Sequence, residues 1–236
     1  MIGDAALRLA FEETWPAAEY RDAGGFRVGR GLGAGGRVGS ARPLDGWTPQ
    51  GIEAAIRQHR EWDQPPLFRA AQDDLPLAEA LRTRGLAPSR PTAVMQIAAG
   101  RLTDATPPPL TALRSWPPLA IQSRIWSEGG IDDARQAVMR RTALPRSAIL
   151  GRIRDRAGGA AFVAVAGDVA MLHALEIARD ARRLGLAQWL VREAGFFAAE
   201  NGASRLALAV TLANRPAVAL YEKLGFEQVG VYDYWS

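Results

Sequence analysis

Apolar and polar positions along the chain change period from block to block, and each period predicts an element. From Gly185 to Asn201 the residues Leu186, Leu190, Ala194 and Phe197 recur at i, i+4, i+8 and i+11, the stripe of an amphipathic helix. Leu206 to Val210 is an unbroken apolar run, as expected of a strand covered on both faces. Leu172 to Ala178 reads as the strand before it. Ala148 to Arg154 and Ala160 to Val165 read as antiparallel strands around the glycine-rich turn Asp155-Arg156-Ala157-Gly158-Gly159. Asp132 to Arg141 has helical spacing. Asn214 caps a further helix, with Pro216 in its first turn and Gly225 as its stop. Phe226 to Trp235 supplies the last strands. This β-α-β-α-β order predicts a three-layer α/β domain.

The N-terminal half is less regular. Ala5 to Thr14, Pro49 to Trp62 and Leu77 to Arg84 have helical spacing, the last ending at Gly85. Gly25 to Val28, Arg37 to Ala41, Leu67 to Ala70 and Thr92 to Ile97 read as strands. The run Gly31-Leu32-Gly33-Ala34-Gly35-Gly36 reads as a flexible hairpin connection; it lacks a phosphate-loop lysine. Between the halves lies Thr103-Asp104-Ala105-Thr106-Pro107-Pro108-Pro109. Three successive prolines fit neither a helix interior nor a central strand, so this is an extended linker. It divides the chain into residues 1–104 and 110–236.

Composition narrows the chemistry. With 236 residues, 48% of them hydrophobic, the chain can bury one large core or two small ones. No apolar run is long enough to span a membrane, and Met1-Ile2-Gly3-Asp4 lacks the basic start of a signal peptide, so a cytoplasmic protein is expected. There is no cysteine, which excludes disulfides, thiolate metal sites and a cysteine nucleophile. The net charge is +4, and Lys223 is the only lysine. The arginines are scattered without interleaved aromatics, which argues against nucleic acid as the main partner.

Two motifs carry chemistry. The first is Arg182-x-x-Gly185-x-Ala187, between a strand and a helix. Small residues at a helix start let an anion approach the free backbone N–H groups, and the helix dipole favours it. The second is Asn214-Arg215-Pro216-Ala217-Val218-Ala219-Leu220-Tyr221-Glu222-Lys223-Leu224-Gly225-Phe226. In this order, with a strand between them, they resemble the GNAT superfamily of acyl-CoA-dependent N-acyltransferases, over roughly residues 115 to 236. The resemblance implies an α/β (α+β) fold: a three-layer GNAT-like acyl-CoA N-acyltransferase domain at 110–236 with a mixed, centrally splayed sheet. It implies that the backbone N–H groups of Arg183, Leu184, Gly185, Leu186 and Ala187 cradle the pyrophosphate of coenzyme A, with guanidinium charge from Arg182 and Arg183. Backbone groups near Leu175 and Ile177 would position the thioester. Asn214 would contact the cofactor besides capping its helix, and Tyr221 would protonate or hydrogen-bond the departing thiolate. Ala80-Leu81-Arg82-Thr83-Arg84-Gly85-Leu86 echoes Leu220 to Phe226 with Leu81 in place of Tyr221, and no phosphate turn precedes it. Residues 1–104 therefore read as a smaller degenerate GNAT-like domain.

An amine must lose a proton to attack a thioester, so a base is needed. Leu172-His173-Ala174-Leu175 is similar to the Leu-His-x-Leu of arylalkylamine N-acetyltransferases, which makes His173 a candidate. Glu176 is the rival, since family members often use a glutamate on this strand. Strand alternation puts the two on opposite faces unless a bulge intervenes, as it does in the family. His59 is read as solvent-facing and without a role. Tyr232, Tyr234 and Trp235 read as sheet packing, with a substrate-lining role as the alternative. The expected activity is acetyl transfer from acetyl-CoA to a primary amine, directly in a ternary complex and without a metal. A protein or peptide N-terminal acetyltransferase, or an acyl-CoA-binding module without turnover, remain as alternatives.

Overall fold

Strands from both halves of the chain meet in a single mixed sheet. The computed structural model describes residues 2–236. Its helices are α1 (Ala5–Glu13), α2 (Gly36–Gly39), α3 (Gly51–Glu61), α4 (Leu75–Arg82), α5 (Ala120–Glu128), α6 (Asp133–Arg141), α7 (Leu186–Glu200) and α8 (Arg215–Leu224). Its strands are β1 (Glu19–Ala23), β2 (Phe26–Arg30), β3 (Ala41–Pro43), β4 (Phe68–Ala71), β5 (Pro88–Ala98), β6 (Ala112–Ser115), β7 (Arg146–Ile153), β8 (Arg156–Ala166), β9 (Val169–Ile177), β10 (Arg205–Thr211) and β11 (Glu227–Trp235). Their order in the sheet is β1-β2-β3-β4-β11-β5-β10-β9-β8-β7-β6.

That order encodes an internal repeat. The segment β3-α3-β4-α4-β5 has the same plan as β9-α7-β10-α8-β11, and in each the first two strands are parallel. The last strands are exchanged: β5 lies antiparallel on β10, and β11 lies antiparallel on β4. β5 and β11 also pair with each other at the centre. The helices α4 and α8 start alike. Asp74 accepts from Leu77 N at 3.2 Å and Asn214 from Ala217 N at 3.4 Å, each with a proline in the first turn. A left-handed glycine follows each helix, Gly85 at φ +77° and Gly225 at +90°. Leu81 is fully buried where Tyr221 stands in the second copy.

Apolar side chains define the layers. Leu190, Val191, Ala194 and Ala198 of α7 pack with Tyr221 on one face of β8, β9, β10 and β5. Trp126 of α5 and Val138 and Met139 of α6 cover the opposite face of β7 and β8. Leu7, Ala10 and Phe11 of α1 cover the middle of that face, touching Met171, Ala207 and Tyr232. The N-terminal half has its own core of Phe26, Ile52, Phe68, Leu77 and Leu81, closed by Trp235 from the other half. Among the described residues no helix is long and apolar enough to cross a membrane.

Several expectations are corrected. The Gly31–Gly36 run is no flexible hairpin: Ala34 is buried, Gly35 sits at φ +94°, and the chain enters α2, so the strand expected from Arg37 begins only at Ala41. The β7–β8 turn is the tight pair Arg154-Asp155, both at positive φ, and Gly158 and Gly159 lie inside β8. A side chain at Gly159 would strike Ile177 Cδ1 at 2.7 Å, so that glycine permits close packing instead of turning the chain. The C-terminal segment is the single strand β11. β1 escaped notice because its middle residues Tyr20, Arg21 and Asp22 are all exposed, as suits an edge strand. His59 is fully buried, its Nδ1 2.9 Å from Ala55 O and its Nε2 3.1 Å from Gly39 O.

Candidate active site

The site opens where the sheet splits. β9 and β10 pair in parallel only from Val169/Arg205 to Leu172/Leu208. Beyond that point the edge of β9 from His173 onward has no strand partner on the β10 side. The split coincides with a bulge: Phe162 faces His173 and Ala160 faces Glu176, so Ala161 opposes two residues, and Ala174 takes φ +50°. Phe162 and Ala160 point to the same face of β8. The bulge therefore brings His173 and Glu176 onto one face, which alternation without it forbids. Leu175 and Ile177 turn the other way, toward the core under α7.

A cavity of about 1520 Å³ fills the split. Its walls include the Arg182–Ala187 turn without Leu184, the start of α8 from Asn214, and Tyr221. Leu184 is exposed and borders a separate groove with Arg152 and Trp189, so its side chain lies away from the cavity. The α7 N-terminus has no side-chain cap, and Gly185 before it is left-handed at φ +80°. These features suit an anion on the helix start. Arg182 folds back, donating through Nε to Ile177 O at 2.9 Å and through Nη2 to Glu176 Oε1 at 3.0 Å. Among the described residues Glu176 Oε2 has no hydrogen-bond partner. Tyr221 is buried against Phe226, and burial pushes its phenol well above the ordinary value. Among the described residues its hydroxyl has no hydrogen-bond partner, and the side chain borders the cavity as a protonated phenol.

His173 is held from both sides. Thr14 Oγ1 gives its single hydrogen to Ala10 O at 2.6 Å, so it accepts from His173 Nε2 at 2.9 Å. His173 Nδ1 then accepts from Arg37 Nη1 at 3.1 Å. Burial, and next the charge of Arg37, push the imidazole well below its ordinary pKa. The ring is packed between Trp15 and Phe162. It is neutral, and its one lone pair is occupied. Arg37 also donates to Phe11 O at 2.5 Å and lies over the Phe11 ring at 3.7 Å. Burial lowers its guanidinium to about 10, and its Nε is enclosed without a partner.

Behind Arg37 stands Glu12. Burial raises this carboxyl, but Arg69 and Arg42 outweigh burial and hold it below the ordinary value. Arg69 donates to Glu12 Oε1, and Arg42 Nε lies 3.4 Å from the same atom. Tyr232 and Tyr234 line the cavity beside this group. Sequence reasoning missed Trp15 and Arg37 altogether. The available signal was an arginine directly after a glycine-rich run, which also reads as an ordinary connection.

The equivalent place in the N-terminal half is closed. Between β3 and α3, a side chain at Gly51 would meet Gly24 O at 1.7 Å, and Trp47 packs into the core there. That leaves no room for a ligand like that of the second half.

Residues 118–226 match the sequence model of the acetyltransferase (GNAT) family. Over those residues the second half of the chain is similar to a GNAT acetyltransferase domain. No curated protein sequence matches the chain significantly. Among solved structures, a GCN5-related N-acetyltransferase from Kribbella flavida superposes with a TM-score of 0.74 at 17% identity, covering 98% of this chain and 95% of its own. A functionally unknown conserved protein from Staphylococcus epidermidis ATCC 12228 gives 0.69 at 10% identity, covering 91% of each chain. A tandem GNAT protein from the clavulanic acid biosynthesis pathway gives 0.62 at 18% identity, covering 83% of this chain and 74% of its own. These likenesses concern the fold. They extend across both halves, as a GNAT domain preceded by a smaller GNAT-like one requires.

Proposed function

We propose that this protein is an acetyl-CoA-dependent N-acetyltransferase that transfers directly to a primary amine in a ternary complex. The observation that carries the reading is the single cavity that collects the uncapped α7 start, the unpaired β9 edge, Glu176 and the Tyr221 hydroxyl. Acetyl-CoA supplies the activated acetyl group, with its pyrophosphate assigned to the backbone of Arg183 to Ala187 and its arm to the side of Asn214. The N–C bond forms as the C–S bond breaks. Glu176 takes the amine proton through its free Oε2, and the Tyr221 hydroxyl gives a proton to the sulfur. Glu176 has this role because His173 has no lone pair to offer; His173 instead fixes Arg37 and the bulged strand. Residues 1–104 act as a half that binds no cofactor and walls the acceptor side.

Calorimetry with acetyl-CoA tests the binding step. One molecule should bind per chain, and Gly185→Val should weaken it by about tenfold or more, because a β-branched residue resists the left-handed conformation and crowds the turn. Two sites per chain, or unchanged affinity in the variant, would overturn the assignment. Thiol release with a panel of amines then separates an enzyme from a module that only binds acyl-CoA.

A further inference from the structure

We infer that the acceptor is a small amine that also carries a carboxylate, and that Arg37 of the N-terminal half binds this carboxylate. The inference rests on the transferase reading above and specifies its acceptor.

The charges lining the cavity are unevenly spread. Arg182 and Arg183 line it on the turn before α7, and Arg215 and Lys223 on α8. Away from that turn the wall holds Arg37 beside His173, Arg90 over the Tyr234 ring and Arg135 against Gly35, and among the described residues Glu176 is the only carboxylate on the whole wall. A plain alkylammonium would enter there against three guanidinium groups. An amine that brings its own negative charge would not.

Arg37 is built for a ligand of that kind. A buried guanidinium is costly unless paired, and proteins normally supply a carboxylate. Here the protein supplies only neutral acceptors, Phe11 O and His173 Nδ1. Glu12, the nearby carboxylate, accepts a hydrogen bond from Arg69 and is ion-paired with Arg42, so it reaches Arg37 only through its charge. Arg37 is held rigidly by the Phe11 ring and by His173, which is itself locked by Thr14. This rigid guanidinium, to which no carboxylate among the described residues is hydrogen-bonded, borders the cavity, and a planar carboxylate matches its fork. The bulge fixes the spacing. His173 and Glu176 stand on one face opposite Phe162 and Ala160, two strand residues or roughly 7 Å apart. One small zwitterion can therefore place its ammonium at Glu176 and its carboxylate at the guanidinium beside His173, as an amino acid would.

The experiment compares L-amino acids with their α-carboxamides, the matching decarboxylated amines, and phosphoethanolamine. The readouts are thiol release with acetyl-CoA, and calorimetry on protein saturated with coenzyme A, which fills the phosphate end beforehand. The acids should exceed their amides in kcat/KM by about 30-fold or more, the loss expected when a buried charge goes unpaired. Arg37→Gln should abolish that ratio through KM, Arg37→Lys should restore part of it, and acetyl-CoA affinity should stay unchanged in both. The comparison of acids with amides on the parent protein stands even if an Arg37 variant fails to fold. Amides used as well as acids, a preference that survives Arg37→Gln, or phosphoethanolamine outperforming every carboxylate would overturn the inference. Absence of thiol release from any amine, with amino acids still binding through Arg37, would overturn the transferase reading and leave the carboxylate site standing.

Discussion

His173 and His59 are the only histidines of the chain, and both are enclosed with both ring nitrogens in contact with protein partners. Burial lowers the pKa of each, and for His59 it outweighs the two carbonyls that favour the charged ring. The unfolded chain then binds more protons than the folded one just below pH 6.5, so stability rises with pH in that window and levels off above it. The unfolding free energy should fall by up to about 1.4 kcal/mol per pH unit for each histidine as pH drops below about 6.5. Urea unfolding followed from neutral pH to about pH 5 reads this slope, and His173→Asn should remove its share and leave that of His59; a parent whose midpoint is constant over that range contradicts the assignment. Tyr221 is argued from the same physics with the opposite consequence. Its raised pKa keeps the phenol protonated at every working pH, so Tyr221→Phe should lower kcat by about 10²–10⁴-fold with unchanged acetyl-CoA affinity. Unchanged kcat with a good acceptor would reduce the side chain to packing.

At the scale of the element, the decisive feature is the bulge in β9. Ala174 holds a left-handed conformation that alanine adopts only under constraint, and the constraint is visible: Trp126 of α5 donates through Nε1 to Ala174 O at 2.8 Å. The helix therefore anchors the kink that aligns Glu176 with His173. Trp126→Phe removes the donor from a buried carbonyl and should destabilise the fold by about 1–3 kcal/mol. Because the bulge also aims Glu176, kcat should fall further than an equally destabilising change in the distant β2–α3 core would produce. Thermal unfolding and thiol release, measured on Trp126→Phe and Ile52→Val, make that comparison. Equal kcat in the two would detach the bulge from catalysis.

At the scale of the molecule, the exchange of β5 and β11 binds the halves together. Cleaving the linker leaves residues 1–104 with β5 unpaired on both sides and β4 without its neighbour, and leaves β10 and β11 with open edges in the remainder. Open central edges expose backbone groups and apolar faces. Fragments 1–104 and 105–236 should thus lack cooperative unfolding when produced separately and recover it, with acetyl-CoA binding, when produced together. A separately folded 105–236 that binds acetyl-CoA as tightly as the full chain would show that the N-terminal strands are dispensable. The exchange also explains how a half without a phosphate turn shapes the site: Trp15, Arg37 and Arg90 reach the cavity because their half is stitched into the same sheet.

Local chemistry determined much of this protein. The α7 stripe, the apolar run of β10, the two proline-started helices and the glycine turn at Gly185 are short-range patterns, and each forms where its own residues dictate. That the Arg182–Ala187 turn and the Asn214–Tyr221 segment carry site chemistry could be proposed for the same reason, since each is contiguous; the structure places both on one cavity. The wall around Arg37 was not legible. Arg37, Trp15, Thr14 and Glu12 lie far from His173 in sequence, and only the sheet order brings them to it. No periodicity marks a half-buried arginine whose partner is a histidine more than a hundred residues away. The state of His173 belonged to tertiary structure too. Its residue type suggested a base, but its protonation depends on burial, on Thr14 having spent its hydrogen on Ala10, and on the charge of Arg37. A side chain's identity is written in the sequence, whereas its free lone pairs are decided by whichever groups the fold places against it.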